Sequence, residues 1–398
     1  MRIAVLAHLH HPIRSPYAGG LEMHTDLTAR RMVRIGHDVT VFAKAGSLTS
    51  GTLVPLLDEG FDTTVRVPGD IHRVRATLAD AMTEACRQVR AGGFDVVLNN
   101  SLSPVPLTDL RSLPMVTVLH TPATLTEVLA VLDDPAWEPP EHHRWLSVSA
   151  ANALAWNHRL PNISVVPNGI DPSVWRSTVP PVPGRAVWTG RITAEKGLHL
   201  AIPAARAAGM DLHFAGPVSD PDYFRQQVEP LLGPDTLYRG HLGHHELPDL
   251  LASGEVYLAT PLWAEPFGLA TVEAMALGTP VAAFLTGAMG EIVGPRAGDL
   301  AVHHSVPALS DSIRVARGRD RVGVQTWSRR FSADRMVASY LSVLRKTAER
   351  AGTLPQPGPG WTPLGDQLTA EVRDTIDAPP TGPDDDGSLV LKTVQTVR

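Results

Sequence analysis

The sequence predicts an α/β protein of two domains, each built around a parallel sheet. Three observations predict this. Short apolar runs alternate with helical patterns from the first residues, a proline-rich stretch interrupts the alternation near mid-chain, and the same alternation then resumes. Continuous apolar runs are typical of strands buried on both faces, and strands that alternate with helices form parallel sheets. The 398 residues are enough for two or three domains with their own cores.

The first forty residues contain a complete βαβ unit. Arg2–Ala7 is an apolar run that predicts a buried strand. Apolar positions between Leu21 and Ile35 recur at helical spacing, and Gly36 follows where a helix C-cap glycine belongs. Asp38–Phe42 resumes as a strand, so these two strands are expected to be parallel neighbours.

Further strands and one long helix complete a first domain over residues 1–175. The helix is predicted at Arg73–Arg90. The strands are predicted at Asp95–Leu98, Met115–Leu119, Trp145–Val148 and Ile163–Val166. A boundary follows at Asp171–Gly184, which carries four prolines and no periodicity.

The second domain is expected over residues 184–328. Its strands are predicted at Ala186–Thr189, Asp211–Ala215, Glu255–Ala259, Val281–Phe284 and Asp299–Val302. Its helices are predicted at Lys196–Ala208, Glu246–Ser253 and Leu269–Leu277. Arg330–Glu349 predicts a long closing helix, and we expect the segment 329–350 to pack back toward the first domain. Residues 351–398 are rich in Pro, Gly and Asp, so we expect a disordered tail.

Composition and charge exclude several classes of protein. No apolar run approaches the ~20 residues of a membrane-spanning helix, and the first residues are too quickly polar for a signal peptide. The net charge of -6 gives no reason to expect a nucleic-acid partner. Cys86 is the only cysteine, which excludes a disulfide framework. We therefore expect a cytoplasmic enzyme without stable membrane insertion.

The densest chemical signal is the segment from Glu265 to Pro280. Gly268 allows close backbone approach at the start of a predicted helix, whose free N–H groups can hold an anion. Glu273 lies one to two turns further and can face the same ligand. Two carboxylates beside a helix N-terminus suit a nucleotide sugar, with one binding sugar hydroxyls and the other the ribose diol. The alternative is a solvated acid plus a helix-dipole acid, and the Pro-Phe-Gly turn favours the binding site.

Two loops add candidate contacts for phosphate. Arg191 and Lys196 lie in a loop directly after a predicted strand, where open α/β sheets bind ligands. The pair Gly19-Gly20 lies between the first strand and helix but lacks the G-x-G-x-x-G pattern of dehydrogenases. It is either a flexible turn or a source of N–H groups for a diphosphate. The histidine clusters lack Cys or acidic partners at ligand spacing, so we expect no metal site.

The ordered set of motifs resembles the family 4 retaining glycosyltransferases, whose GT-B architecture has two Rossmann-like domains facing each other across a cleft. The resemblance covers residues 1–350 and depends most on the E-x7-E spacing of Glu265 and Glu273. Its other parts are Gly19–Glu22, Arg34–Phe42, Val118–Pro122, Ser147–Ser149, Val166–Asp171, Gly190-Arg191 and Glu195–Gly197.

The resemblance implies a role for each of these positions. The residues that it implies for catalysis are His120 near the transferred sugar, Arg191 and Lys196 on the diphosphate and leaving group, and Glu265 on the sugar. The residues that it implies for nucleotide-sugar binding are Gly19, Gly20, Gly190, Gly268, Leu269, Ala270 and, on the ribose, Glu273. Gly19 and Gly20 are implied either on the donor diphosphate or at the border of the acceptor site. Asn168 and Asp171 are implied at the interdomain hinge.

The activity implied is transfer of a hexose from a nucleotide diphosphate sugar, with a UDP-sugar favoured, to a hydroxyl of a small-molecule acceptor. A GDP-mannose-dependent mannosyltransferase is the alternative donor reading. A GT-B sugar-nucleotide epimerase and a catalytically silent binding protein are the alternatives from other classes. The resemblance implies no cofactor and no metal, since the nucleotide sugar is a co-substrate and the sequence has no D-x-D motif. The acceptor and the oligomeric state stay open at this point.

Overall fold

Two parallel sheets organise the computed structural model, which describes residues 1–64, 67 and 69–354. Both sheets belong to one compact body of the chain. The helices lie on the sheet faces, and buried aliphatic side chains fill the space between. Among the described residues, no helix has both the length and the apolarity needed to cross a bilayer.

The first sheet has seven strands in the order β3-β2-β1-β4-β5-β6-β7. These strands are β1 (Arg2–Leu6), β2 (Asp38–Lys44), β3 (Thr52–Leu57), β4 (Val96–Asn99), β5 (Met115–Leu119), β6 (His143–Ser147) and β7 (Ser164–Val165). The helices of this domain are α1 (Gly20–Arg34), α2 (Asp70–Gly92), α3 (Val105–Asp109), α4 (Thr126–Leu132) and α5 (Ala150–Trp156).

The second sheet has six strands in the order β10-β9-β8-β11-β12-β13. These strands are β8 (Arg185–Thr189), β9 (Asp211–Ala215), β10 (Thr236–Tyr238), β11 (Val256–Ala259), β12 (Val281–Phe284) and β13 (Gly298–Ala301). The helices are α6 (Leu198–Ala207), α7 (Pro221–Tyr223), α8 (Leu247–Ser253), α9 (Leu269–Ala276), α10 (Met289–Ile292), α11 (Val306–Ala316), α12 (Arg321–Ser328) and α13 (Ala333–Ala351).

Every strand expected from the sequence has a counterpart, but two edge strands were missed. β3 contains Pro55 and is only partly buried, and β10 is three residues long. Neither has the continuous apolar run that marks a central strand, because an edge strand is half covered.

The helix expected from Lys196 begins two residues later. Gly197 adopts φ 68° there, and a Cβ on it would lie 2.2 Å from Thr260 O.

Within the part of the chain that the structure describes, the backbone crosses between the domains twice, and the two crossings are hydrogen-bonded to each other. Ile170 N donates to Phe331 O at 2.9 Å, and Ala333 N donates to Ile170 O at 2.9 Å. A Cβ on Gly169 would lie 2.5 Å from Ser332 O, so only glycine fits this approach. The two interdomain segments are therefore held together by backbone hydrogen bonds and do not form two independent linkers.

Buried Arg31 of α1 ties both crossings to the first domain. Its guanidinium lies 3.0 Å from Asp171 and 2.8 Å from Asp334, one residue after each crossing. The closing helix α13 then packs on the first domain, where Thr353 Oγ1 donates to Asp95 O at 2.6 Å. Residues 355–398, most of the tail expected to be disordered, lie outside the described residues.

Candidate functional site

A cavity of about 320 Å³ lies between the two domains, beside the carboxyl ends of strands from both sheets. This is the edge at which open α/β sheets bind ligands. The first domain lines it with Ala18, Gly19, Gly20, Leu21, His24, His120 and Asn168. The second domain lines it with Trp188–Arg191, Lys196, Tyr257–Pro261, Trp263, Glu265–Thr271 and Met289. Of the eleven site residues expected from the sequence, the cavity wall therefore brings together all but Glu273.

Glu265 is the best-anchored polar side chain of the cavity. Lys196 Nζ lies 2.5 Å from Glu265 Oε2, and Trp263 Nε1 donates to the same oxygen at 3.0 Å. The Lys196 ammonium also lies 5.4 Å from the centre of the Trp263 ring. Lys196 was expected on phosphate, but here it is paired with the carboxylate. The cation therefore has two possible partners, Glu265 and an incoming anion.

The backbone around Glu265 is fixed by a neighbouring turn. Ala288 N donates to Glu265 O at 2.9 Å, and Thr286 Oγ1 donates to Trp263 O at 3.3 Å. Gly287 adopts φ 52°, and a Cβ there would lie 2.3 Å from Glu265 O. The glycine thus permits the close approach that holds the Glu265 loop in place.

Two helices begin at the cavity from opposite domains. α9 begins after Gly268, which adopts φ 97° and offers no side-chain cap, and its first turn contains no acidic residue. α1 begins at Gly20, and Glu22 lies in its first turn. Both helix dipoles place positive potential at the cavity, but the Glu22 carboxylate offsets the positive potential at the start of α1. An anion is therefore best accommodated at α9, where Leu269 and Ala270 supply the free N–H groups.

Glu22 is ionised although it is buried. Burial opposes ionisation, but the His8 side chain and the Glu22 backbone N–H outweigh it and bring the pKa of this carboxyl below its ordinary value. His8 Nδ1 lies 3.6 Å from Glu22 Oε1, and a Cβ on Gly19 would lie 3.1 Å from Glu22 Oε2. This negative charge beside Gly19 and Gly20 favours the acceptor border over the diphosphate as their location.

Arg191 is the exposed cation of the cavity. Its side chain is 53% exposed, and Nη2 lies 3.6 Å from Glu195 Oε1. Such a weakly held guanidinium is free to turn toward phosphate oxygens, which it can contact through two N–H groups.

His120 is held as a neutral ring. Its Nε2 lies 3.1 Å from Asn100 Oδ1, and because an amide oxygen only accepts, His120 donates from Nε2 and keeps Nδ1 as an acceptor. Burial, with the nearby rings of His24 and His8, lowers the pKa of His120 well below its ordinary value. His24 contacts it edge-on at 4.8 Å between ring centres, and burial lowers the pKa of His24 to about 4.

Glu273 lies on α9 behind the cavity wall and is only 8% exposed. Burial raises the pKa of its carboxyl to about 8. Tyr257 lies close by, and its hydroxyl donates to Thr189 O at 3.2 Å rather than to Glu273. A ligand hydroxyl that donated to Glu273 would stabilise the ionised carboxylate that the protein alone disfavours.

Sequence reasoning missed Trp263 and Glu291. Trp263 stands two positions before Glu265, and that proximity to the motif was the available signal. Glu291 of the second domain accepts from Ala150 N at 2.8 Å and from Ala151 N at 2.7 Å, at the start of α5 in the first domain. No sequence pattern links positions 141 residues apart.

Within residues 1–64, 67 and 69–354, no group of three or more His, Cys, Asp or Glu side chains could hold a metal ion.

Comparison with known proteins adds family and fold. Residues 18–174 match the family described as "Glycosyltransferase Family 4", and residues 179–316 match the family described as "Glycosyl transferases group 1". Glycogen synthase of Mycobacterium tuberculosis is 27% identical over 411 residues, which cover 90% of this chain and 97% of that protein. The MMP alpha-(1->4)-mannosyltransferase of Mycolicibacterium hassiacum is 27% identical over 358 residues, covering 74% and 84%.

Solved structures of glycosyltransferases share the arrangement of two domains. AviGT4, involved in avilamycin A biosynthesis, superimposes with a TM-score of 0.65 at 20% identity, covering 88% of this chain and 98% of its own. Anabaena HepE in complex with UDP-glucose superimposes with a TM-score of 0.60 at 19% identity, covering 89% and 100%. This likeness and the two all-parallel sheets show the GT-B fold.

Proposed function

We propose that this chain, which belongs to the family 4 glycosyltransferases and has the GT-B fold, transfers a hexose from a nucleotide diphosphate sugar to a hydroxyl of a small-molecule acceptor. The observation that carries the proposal is the cavity between the domains. An anchored carboxylate, a neutral histidine and an uncapped helix N-terminus all border it.

Each group then has a role in binding. Glu265 accepts hydrogen bonds from sugar hydroxyls, and the α9 N-terminus with Arg191 binds the diphosphate. Glu273 accepts from the ribose diol, which requires the ribose to reach behind the cavity wall. His120 contacts the transferred sugar from the opposite domain.

We propose that the transfer retains the anomeric configuration. The bond between the anomeric carbon and the leaving phosphate oxygen breaks, and the acceptor oxygen bonds to the same face of that carbon. The leaving phosphate takes the acceptor's proton, so no protein nucleophile is needed. The protein contributes by placing both reactants together and by stabilising the negative charge that grows on the phosphate. Arg191, Lys196 and the α9 N–H groups supply that stabilisation.

A UDP-sugar is the favoured donor, and a fold neighbour was solved with UDP-glucose. GDP-mannose is the second candidate, because the similar protein of Mycolicibacterium hassiacum is named a mannosyltransferase.

The test is nucleotide release from a panel of UDP- and GDP-sugars with hydroxyl acceptors, followed by NMR of the product's anomeric centre. We expect acceptor-dependent release from one donor and a product with the donor's configuration. Donor binding without release would instead indicate a silent binding protein. Interconversion of the donor sugar without acceptor would indicate an epimerase, and an inverted product would contradict retention.

A further inference from the structure

One oxygen of the Glu265 carboxylate carries both of its protein hydrogen bonds. Lys196 Nζ and Trp263 Nε1 both contact Oε2, at 2.5 and 3.0 Å. Among the hydrogen bonds of the described residues, none reaches Oε1. The Glu265 side chain is 14% exposed and borders the cavity. The two oxygens therefore have different tasks, since one is held by the protein and the other is open to a ligand.

The two donors to Oε2 differ in how firmly they are fixed. The Lys196 ammonium ends a flexible stem, and under the proposed function the diphosphate of the donor is its second partner. The Trp263 indole is a rigid, donor-only group on a backbone that is itself held, because its carbonyl accepts from Thr286 Oγ1 and from Glu265 N. If Lys196 turns toward phosphate, the indole N–H remains on Glu265.

We propose that Trp263 is a positioning residue that holds Glu265 Oε2 and thereby presents Oε1 to the hydroxyls of the donor sugar. The inference rests on the proposed function, because it assigns the sugar of a nucleotide-sugar donor to Glu265. The indole N–H keeps the carboxylate in place while Lys196 moves between its two partners. Trp263 itself borders the cavity.

Two complementary variants separate the N–H from the bulk of the side chain. Trp263→Phe keeps an aromatic ring under Lys196 but removes the N–H. Trp263→His has a smaller ring but keeps a comparable donor. The imidazole Nε2, like the indole Nε1, lies two bonds from Cγ, so an N–H can take the same place. We expect Trp263→Phe to weaken donor-sugar binding roughly tenfold, as for a lost hydrogen bond to a charged group. We expect Trp263→His to retain more of that affinity than Trp263→Phe.

Calorimetry with the nucleotide sugar and with the free nucleotide diphosphate reads out the role. Free nucleotide has no hexose, so its affinity should change less than about twofold in either variant. Trp327→Phe is the matched control, since it also loses an indole hydrogen bond, from Nε1 to Ile292 O, but Trp327 does not border the cavity. It should leave both affinities unchanged.

A double-mutant cycle with Glu265→Gln distinguishes positioning from wall packing. If Trp263 acts through the Glu265 carboxylate, Trp263→Phe should have much less effect on donor-sugar affinity in the Glu265→Gln background than in wild type. Equal losses in both backgrounds, or no loss in wild type, would overturn the role of Trp263. If Trp263→Phe does not fold, Trp263→His decides. Donor-sugar affinity close to that of wild type supports the role of the N–H, and an equal, roughly tenfold loss in the wild-type and Glu265→Gln backgrounds overturns it. Failure of the wild-type protein to bind any nucleotide sugar would instead overturn the proposed function.

Discussion

Gly20 and Leu269 begin helices in different domains and meet across the cavity. A Cβ on Gly20 would lie 3.0 Å from Leu269 Cδ1, closer than a relaxed contact. The glycine therefore lets the start of α1 approach the start of α9. This approach brings residues of the two domains to the same cavity.

Gly20→Ala should consequently lower turnover severalfold without loss of folding. Alanine is the better helix former by up to about 1 kcal/mol, so thermal stability should hold or rise. The added methyl group must displace the Leu269 side chain, which disturbs the cavity wall. Steady-state kinetics with thermal unfolding checks this. Adding Leu269→Ala to Gly20→Ala makes room for the methyl group and should restore part of the turnover. If this double variant turned over more slowly than either single variant, the steric explanation would be contradicted.

Arg191→Ala and Lys196→Ala should differ in their effect on binding. Each removes a charge-assisted contact to the leaving phosphate, worth about 1.5–3 kcal/mol, so turnover should fall roughly ten- to a hundredfold. Lys196→Ala also removes a donor from Glu265 Oε2 and should weaken donor-sugar binding relative to free nucleotide. Arg191→Ala should not change that ratio. Arg225 is an exposed arginine paired with Asp222, so Arg225→Ala is the control and should behave as wild type. If Arg191→Ala and Lys196→Ala gave the same ratio of donor-sugar affinity to free-nucleotide affinity, a dual role for Lys196 would be refuted.

Nucleotide binding should release protons through Glu273. Its pKa is about 8 in the free protein because it is buried, and ribose hydroxyls that donate to the carboxylate would lower that pKa in the complex. Affinity should thus rise with pH up to about 8 and then level off. Calorimetry in buffers of different ionisation enthalpy measures the protons released. Glu273→Gln removes this part of the release, and an unchanged proton count in that variant would exclude Glu273 as its source.

The same carboxyl affects stability with a defined sign. A pKa raised from 4.5 to about 8 on folding means that the folded state holds the proton more tightly than the unfolded state. Its stabilising contribution is complete below pH 4.5 and is lost as the pH rises to about 8. Thermal unfolding of Glu273→Gln should therefore show a smaller loss of stability over this range than wild type.

Glu291 should couple the two domains. Its carboxylate accepts two backbone N–H groups at the start of α5, so Glu291→Ala should destabilise the protein by about 1–2 kcal/mol, the range of a lost helix cap. Differential scanning calorimetry would detect this as a lower Tm. Exposed Glu229 offers the control variant Glu229→Ala, which should leave Tm unchanged. Equal Tm values for both variants and wild type would show that this contact does not stabilise the domain interface.

The sequence was most informative where local pattern determines structure. Central strands such as β1 and β12 are continuous apolar runs, so the sequence alone predicts that both of their faces are buried. The partly exposed β3 has no such run and was missed. Gly268 and the motif around it were recognisable because a helix that begins at a ligand needs close backbone approach.

Contacts between distant segments could not be inferred from spacing. The pairing of Lys196 with Glu265 joins loops 69 residues apart, and it depends on how two βα loops meet at one sheet edge. Neither residue type indicates whether the cation faces phosphate or carboxylate. The burial of Glu273 behind the cavity wall likewise results from the packing of α9, which the E-x7-E spacing does not specify.

The assignment of the two glutamates is tested most directly by calorimetry of Glu265→Gln and Glu273→Gln with a nucleotide sugar and its free nucleotide diphosphate. Glu265→Gln should weaken binding of the sugar donor and leave free-nucleotide affinity nearly unchanged, because only the donor carries a hexose. Glu273→Gln should weaken both ligands alike, since the ribose is common to them. Loss of free-nucleotide affinity in Glu265→Gln, with none in Glu273→Gln, would contradict the account.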